Sequence, residues 1–592
     1  MVMKANLKAT VRLFKKHLVR LFTIIAIVLV SIGFMSGIGE VEGSIKLAVD
    51  KYYHSSYLSD IYVKSKNAYG FTQEEQKKIA ERFGEDYIKS EFCYEYKENE
   101  NVIRVYSYDL KENTINKLEL LEGTFPANEN EILAERKTEC FFGYSIGEKV
   151  TVQGKEYTVC GIVKNPLLIL QKDEQSFVCP NTYLRNVLYI DCENLLLTND
   201  IHVVLEDRNI FDSYSNDYET KIKEMKSDIK NELGEENVIV LSLYENAGLY
   251  SLIAYSEKVG LIGIVFVVFF LLVTLLVVYS TISRLFEEER GQIACQKTLG
   301  YNDFQIIGRY VAFVAFGVII GGLFGLPVGY GMVRVIYFAF GSHYAMPTFP
   351  AGIKFTYYLV TFAIIFLFNT ALAFISGKEK VKGKPAVLLT PKAPKAGKKV
   401  LLEKISFIWE KLSFKYKSTL RNVLLFKSRF LMTVISVIGS TVLIFAGMGL
   451  FDCARLRENA FALVAVSIML LVFSAVLCAL VIYNLTNINV SERNREIATL
   501  MVLGYQDKEV TGYIYREIYI MSLIGAILGI PLGVVFIDFV FGLIDFGSLG
   551  DINWWTYLLT PLLTLVFSFL STRLLRKKIL RTDMNESLKI LE

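Results

Sequence analysis

Apolar positions along the chain gather into eight long runs: 21–38, 259–282, 310–338, 355–376, 430–450, 462–485, 514–541 and 555–575. A helix of about 20 apolar residues crosses a hydrocarbon core roughly 30 Å thick, so this pattern predicts eight membrane-spanning helices. Between the first and second runs the periodicity changes. Segments 59–63, 101–107, 148–153, 156–163 and 201–205 are alternating or rich in β-branched residues, which predicts strands. Thr72-Gln-Glu-Glu75 reads as a capping box opening a helix through Glu81. Residues 217–233 are polar and helical in composition, and 237–243 read as a last strand. The expected fold is an α-helical polytopic membrane protein with one α/β domain, 39–257, between its first two spanning helices.

The polar sequence after the second run recurs after the sixth. EEERGQIACQKTLGYNDFQI (287–306) aligns with SERNREIATLMVLGYQDKEV (491–510) at an offset of 204 residues. Glu288 falls on Glu492, Ile293 and Ala294 on Ile497 and Ala498, and Leu299, Gly300 and Tyr301 on Leu503, Gly504 and Tyr505. The same offset carries Gly325-Leu-Pro327-Val-Gly329 onto Gly529-Ile-Pro531-Leu-Gly533. A fixed internal period sets the architecture. The membrane part is two four-helix units, 1–38 with 258–376 and then 430–576, joined by a linker at 377–429 and followed by a tail at 577–592. Both units enter from the same side, so they are parallel repeats related by an axis along the membrane normal.

Composition agrees: 53% of the 592 residues are hydrophobic, too many for an ordinary soluble protein. Arg12, Lys15, Lys16 and Arg20 lead into the first run as in a signal peptide. However, Ser36-Gly-Ile-Gly39 is a poor cleavage site and an equivalent segment recurs, so a retained helix is expected. The net charge of +4 conceals a division, because residues 40–257 hold 24 basic and 40 acidic residues. The linker is dense in lysine (Lys378, Lys380, Lys382, Lys384, Lys392, Lys395, Lys398, Lys399), and Arg573, Arg576, Lys577, Lys578 and Arg581 close the chain. The positive-inside rule then predicts cytoplasmic termini and linker and an extracellular α/β domain.

The repeated polar segment cannot cross the bilayer, since Glu492, Arg493, Arg495 and Glu496 would each cost about 2.5–3.5 kcal/mol at its centre. Ile497, Leu500, Met501 and Leu503 fall on one helical face, with Glu492, Arg495, Glu496 and Thr499 opposite. Gly504 supplies the left-handed stop. The expectation is an amphipathic helix at the cytoplasmic membrane surface in each repeat, at 287–301 and 491–505.

The pattern Glu-Arg-x-Arg-Glu-Ile-Ala-x-x-x-x-Leu-Gly from Glu492 to Gly504 resembles the coupling region of FtsX-like permeases, the MacB-type ABC transporter family. The helix with G-x-P-x-G that follows fits as well. Leu120-Leu-Glu122-Gly123-Thr-Phe-Pro126-Ala-Asn-Glu-Asn130-Glu131-Ile132, and Ile146-Gly147 leading to Tyr157-Thr-Val-Cys-Gly161-Ile-Val, are similar to that family's extracellular core domain. Lys384-Pro385-Ala386 and Leu420-Arg421-Asn422 resemble the duplicated, single-chain members found in Firmicutes. The resemblance implies the permease subunit of an ABC complex. Its two coupling helices would dock two copies of a separate ATPase through Glu288, Arg290, Gln292, Leu299, Gly300 and Tyr301, and through Glu492, Arg493, Arg495, Glu496, Leu503, Gly504 and Tyr505. ATP and Mg would sit on that partner, because this chain has no G-x-x-x-x-G-K-[ST] phosphate loop. Motion passed to the outer domain would drive export, extraction or antimicrobial resistance. The alternative is a transmembrane signal transducer that activates a cell-wall hydrolase or sensor kinase without transport. The first copy departs from the family pattern, reading Glu288-Glu-Arg290-Gly-Gln292, and the second repeat carries no outer domain.

Other features add less. Pro327 and Pro531 act either as hinges or within close small-residue packing. Arg334 and Asp538 occupy equivalent repeat positions and would pair if their helix ends meet at the pseudo-twofold axis. Five of the eight cysteines lie in 40–257, an odd number that leaves one or two disulfides or buried thiols open. The outer acidic residues read as solvated surface. Four scattered histidines match no metal spacing, and no nucleophile elbow appears, so an enzyme is not expected. A basic linker beside a membrane faces lipid or the ATPase, not nucleic acid.

Overall fold

The computed structural model describes residues 2–580 apart from 99–100, 173, 178, 180–181, 194, 348–353, 390–412, 426 and 458–459. Lys392, Lys395, Lys398 and Lys399 of the linker, and Arg581, lie outside the described residues. The chain forms two compact units, one of Met1–Glu40, Lys258–Val335 and Lys354–Glu592, the other of Val41–Glu257 with Ile336–Ile353.

In the membrane unit every predicted run is a helix. The eight are Leu18–Ser55, Ala247–Glu288, Asp303–Phe340, Phe355–Val381, Lys427–Arg455, Phe461–Glu492, Asp507–Ile544 and Trp554–Leu580, and each is apolar enough to cross a membrane. The repeat holds to the residue: the third and seventh helices start and stop 204 positions apart. Both run unbroken through Pro327 and Pro531. What the small residues do here is let helices touch. A Cβ on Gly329 would lie 2.2 Å from the Ser36 hydroxyl and 3.1 Å from the Gly33 carbonyl, and one on Gly525 would lie 2.7 Å from Val437. Close backbone approach is what holds helices together where lipid removes the hydrophobic drive. The repeats meet through Phe536, edge-on to Phe266 at 5.3 Å, and through a buried Asn484 Nδ2 donating to Thr281 Oγ1 at 2.8 Å. The expected Arg334–Asp538 pair is absent. Arg334 lies 5.9 Å over the Tyr330 ring, and Asp538 is exposed and makes no ion pair among the described residues.

The second unit is built on ten strands: β1 (Ile61–Ser65), β2 (Ile88–Glu98), β3 (Asn101–Tyr108), β4 (Glu119–Gly123), β5 (Glu131–Glu135), β6 (Lys149–Val152), β7 (Lys155–Lys164), β8 (Leu184–Asp191), β9 (Asp200–Val203) and β10 (Val238–Ser242). They form one mixed sheet ordered β10-β1-β9-β2-β3-β8-β5-β7-β4, with β6 beside β7. The helices Gln73–Phe83 and Asn216–Leu233 pack Ile79, Ile222 and Ile229 against Ile61, Val63 and Val240 of the sheet. The Thr72 capping box forms as expected, with Thr72 N donating to Glu75 at 2.7 Å. β2, β4, β5 and β8 were not legible in the pattern. Sequence boundaries also missed the segment Ile336–Ile353, which belongs to this unit: Gln171 donates to the carbonyls of Gly341 at 3.1 Å and Tyr344 at 3.0 Å. No disulfide joins the cysteines.

The acidic residues here are not all a solvated surface. Asp60, Glu91, Glu135 and Asp200 are buried. Glu135 accepts from the Tyr189 hydroxyl at 2.8 Å and the Asn165 N–H at 3.0 Å, yet burial pushes it up to about 8. Between the ordinary carboxylate value and pH 8 the folded chain therefore holds a proton that the unfolded chain releases, so stability falls as pH rises through that window and levels above it. Glu135→Gln keeps both acceptor contacts and removes the charge. In thermal melts of the full chain in detergent it should match the parent near pH 4.5 and melt higher at pH 8.5, by on the order of 1–3 kcal/mol. Equal melting at both pH values would show that Glu135 does not titrate this way.

Candidate coupling site

Each repeat turns from its second spanning helix into a short helix and then into its third. The expected helices 287–301 and 491–505 each break near their start. Glu289 (φ −88, ψ 12) and Arg493 (φ −108, ψ 11) form the joints, and nine-residue helices follow at Arg290–Thr298 and Asn494–Val502.

The anchoring is the same in both copies. Ile293 packs with Phe286, Ile306 and Tyr310, and Ile497 packs with Val490, Val510 and Ile514. The exits also match. Tyr301 N donates to Gln296 O at 3.1 Å and Tyr505 N to Leu500 O at 3.1 Å. Gly300 and Gly504 both sit at φ +85, where a side chain would be strained. This geometry lifts the preceding leucine off the core: Leu299 is 76% exposed and Leu503 69%. Phe304, Val502 and Tyr505 are exposed beside them, while Tyr301 is half-buried against the core. Leu503 thus leaves the apolar face expected for it; Leu500 and Met501 stay packed.

The charged residues fare differently. Glu288 pairs with the buried Arg20, and Arg290 donates to the Val387 carbonyl in the linker helix Pro385–Leu389. Lys297 reaches the Gly383 carbonyl at 3.2 Å, so the start of the linker lies along the first copy. Arg493 is buried, donating to Glu517 at 2.8 Å. Gln292 and Glu496 are exposed. The side chains of Glu492 and Arg495 lie outside those described. Sequence reasoning overlooked Glu289, which is buried and held by Lys16 at 2.7 Å and His17 at 3.1 Å. Glu289 and Arg493 are repeat equivalents of opposite charge, so each joint is clamped by an ion pair of different make. The signal was present in the alignment, at the one position where the copies differ in sign.

The family model for the FtsX-like permease C-terminal domain matches twice, at 264–378 and 468–584. The chain carries the FtsX-like permease domain twice. Both matches contain one short helix and its exposed leucine, at the same repeat offset. An FtsX-like permease is a multi-pass membrane protein of the ABC transporter class and works with an ABC ATPase. Among solved structures, the periplasmic region of MacB from Actinobacillus actinomycetemcomitans is similar at 12% identity, over 31% of this chain and 88% of that one, with a TM-score of 0.20. No curated protein matches the chain.

Proposed function

We propose that this FtsX-like permease docks two ATPase subunits, one on each short helix, and converts their ATP-driven motion into movement of its inserted α/β unit on the outer face of the membrane. The observation that supports this most is the matched pair of exposed leucine tips, Leu299 and Leu503. An isolated exposed leucine is ordinary on any surface. Two in one geometry, each raised by a left-handed glycine and backed by a buried Ile-Ala anchor, fit apolar clefts on two identical partners. The buried ion pairs at the joints would make each short helix and its spanning helix move as one lever. The few ionisable residues within the spanning helices argue for transmitted motion over passage of substrate through the bilayer. ATP and Mg belong to the partner in this reading, and both termini lie in the cytoplasm. The outer unit then either extracts and expels a ligand or activates an outer protein partner, such as a cell-wall hydrolase or sensor kinase.

The test is amide hydrogen exchange of β1–β10 in nanodiscs, with the ATPase and a non-hydrolysable ATP analogue against ADP. Nucleotide should change exchange in the inserted unit when the ATPase is present and leave it unchanged when it is absent. Identical exchange in both nucleotide states would overturn the mechanical reading.

A further inference from the structure

The inserted unit encloses a cavity of about 210 Å³, remote from the short helices in sequence. It forms where β2 changes partners. Residues 88–91 of β2 pair with β9 and residues 92–98 with β3, so each half of the strand has one edge without a ladder. Asn199 patches part of that edge, accepting from the Cys93 N–H at 2.8 Å and donating to the Cys93 carbonyl at 2.7 Å. The cavity walls include Tyr62, Tyr106, Tyr108, Tyr189 and Phe177, with Tyr106 stacked on Tyr189 at 5.5 Å.

The charges lining it are not evenly matched. Arg104 commits its guanidinium to Glu95, at 2.9 Å from Nε and 2.8 Å from Nη2, and lies 3.7 Å over the Phe177 ring. Glu91 sits between Lys89 at 3.5 Å and His202 at 3.0 Å, and His202 meets the Ser59 hydroxyl at 3.0 Å. Two carboxylates are held only by longer ion pairs. Glu174 has Arg104 at 3.7 Å, beyond hydrogen-bond reach and already committed elsewhere. Asp200 is 1% exposed. Its Oδ1 accepts no hydrogen bond, and Lys64 stands 3.5 Å away with its ammonium also over the Phe177 ring. Burial pushes Asp200 up to about 6 and raises Glu174 above the usual carboxylate range. The surroundings supply too little positive charge to keep both ionised at no cost.

An anion would be repelled by both carboxylates, and a neutral apolar guest would bring them no closer partner. A cation on an apolar stem completes the pairing and lies against tyrosine faces that attract it. Drug-sized pockets run about 300–1,000 Å³, so this smaller space suits one side-chain-sized group.

We propose that the cavity binds an organic cation, a primary ammonium or guanidinium on a short apolar stem, with Asp200 and Glu174 as counter-ions and Tyr62, Tyr106 and Phe177 as walls. This names the class of ligand the inserted unit grips and rests on the proposed function only for its use; binding itself needs no ATPase. The same chemistry is carried by a free small amine and by a Lys or Arg side chain of a peptide.

The experiment is calorimetric titration of the full chain in detergent, without ATPase, using butylamine, butylguanidine, neutral butanol and a capped tripeptide with central Arg. At least one cationic probe should bind and butanol should not. Binding by the small cations assigns a free amine or guanidine, and binding by the tripeptide alone assigns a peptide. Asp200→Asn should weaken binding at least tenfold and Glu174→Gln severalfold, while Glu235→Gln, at an exposed residue that does not line the cavity, should leave it unchanged. Circular dichroism checks the fold of each variant, and Glu174→Gln, outside every strand, carries the test if Asp200→Asn misfolds. No binding by any cationic probe, equal binding by butanol, or undiminished binding by both carboxylate variants would overturn the proposal. Loss of nucleotide-dependent exchange with cation binding intact would overturn the coupling reading and leave this one standing.

Discussion

Leu299→Asp combined with Leu503→Asp should abolish capture of the ATPase subunit while the chain still folds and inserts. Both side chains are largely exposed, so replacing them costs the free chain little. Burying each in a partner's apolar cleft is worth about 1.5–3 kcal/mol, and tenfold in affinity corresponds to about 1.4 kcal/mol. Losing both tips, with a carboxylate in each cleft, should weaken association by more than about 100-fold. Each single variant should retain one docked subunit. Affinity purification of tagged permease followed by quantitation of bound ATPase reads both results. A double variant that retains full stoichiometry would show that the partner does not use these tips. Glu288→Gln should matter less, because Glu288 faces Arg20 within the chain.

Arg493→Ala should cost about 3–5 kcal/mol, since it strands Glu517 as a buried, unpaired carboxylate. Arg493→Met with Glu517→Leu removes both charges at similar volume and should recover most of that loss. Thermal melting in detergent measures the pair of effects. The comparison separates a structural clamp from a docking residue: if the double variant melts like the parent yet still binds ATPase, Arg493 belongs to the joint. A single variant that melts like the parent would show that the pair carries no stability. The first repeat should tolerate Glu289→Ala better, because Lys16, one of its two partners, is 59% exposed and returns to water freely.

How far pattern alone reached depends on the solvent each segment faces. The spanning helices were legible because lipid demands a long apolar run with every backbone group paired inside the segment, and only the composition of the run enters that demand. The α/β unit was half legible. β1, β7 and β10 alternate between buried and more exposed positions, whereas β2, with sequence IKSEFCYEYKE, carries Lys89, Glu91 and Glu95 and looks solvated. Those charges turn inward because partners from β3 and β9 meet them there, and a strand that lends charges to a cavity wall cannot show the apolar signature of a packed one.

The short helices make the same point at smaller scale. Their existence, period and glycine stops follow from local chemistry, since an ionised residue is too costly in lipid and only glycine turns left without strain. Their charges do not. Glu288, Arg290 and Arg493 all read as free docking charges until the fold brings Arg20, the Val387 carbonyl and Glu517 to them from 24 to 268 positions away in the chain. From its sequence, then, this protein's duplicated eight-helix plan, its inserted unit and its paired short helices could be read, because each rests on periodicity or on a local cost. Which charges are exposed, which are clamped and where a cavity opens were decided by tertiary contacts, because a charge's fate depends on what is packed against it.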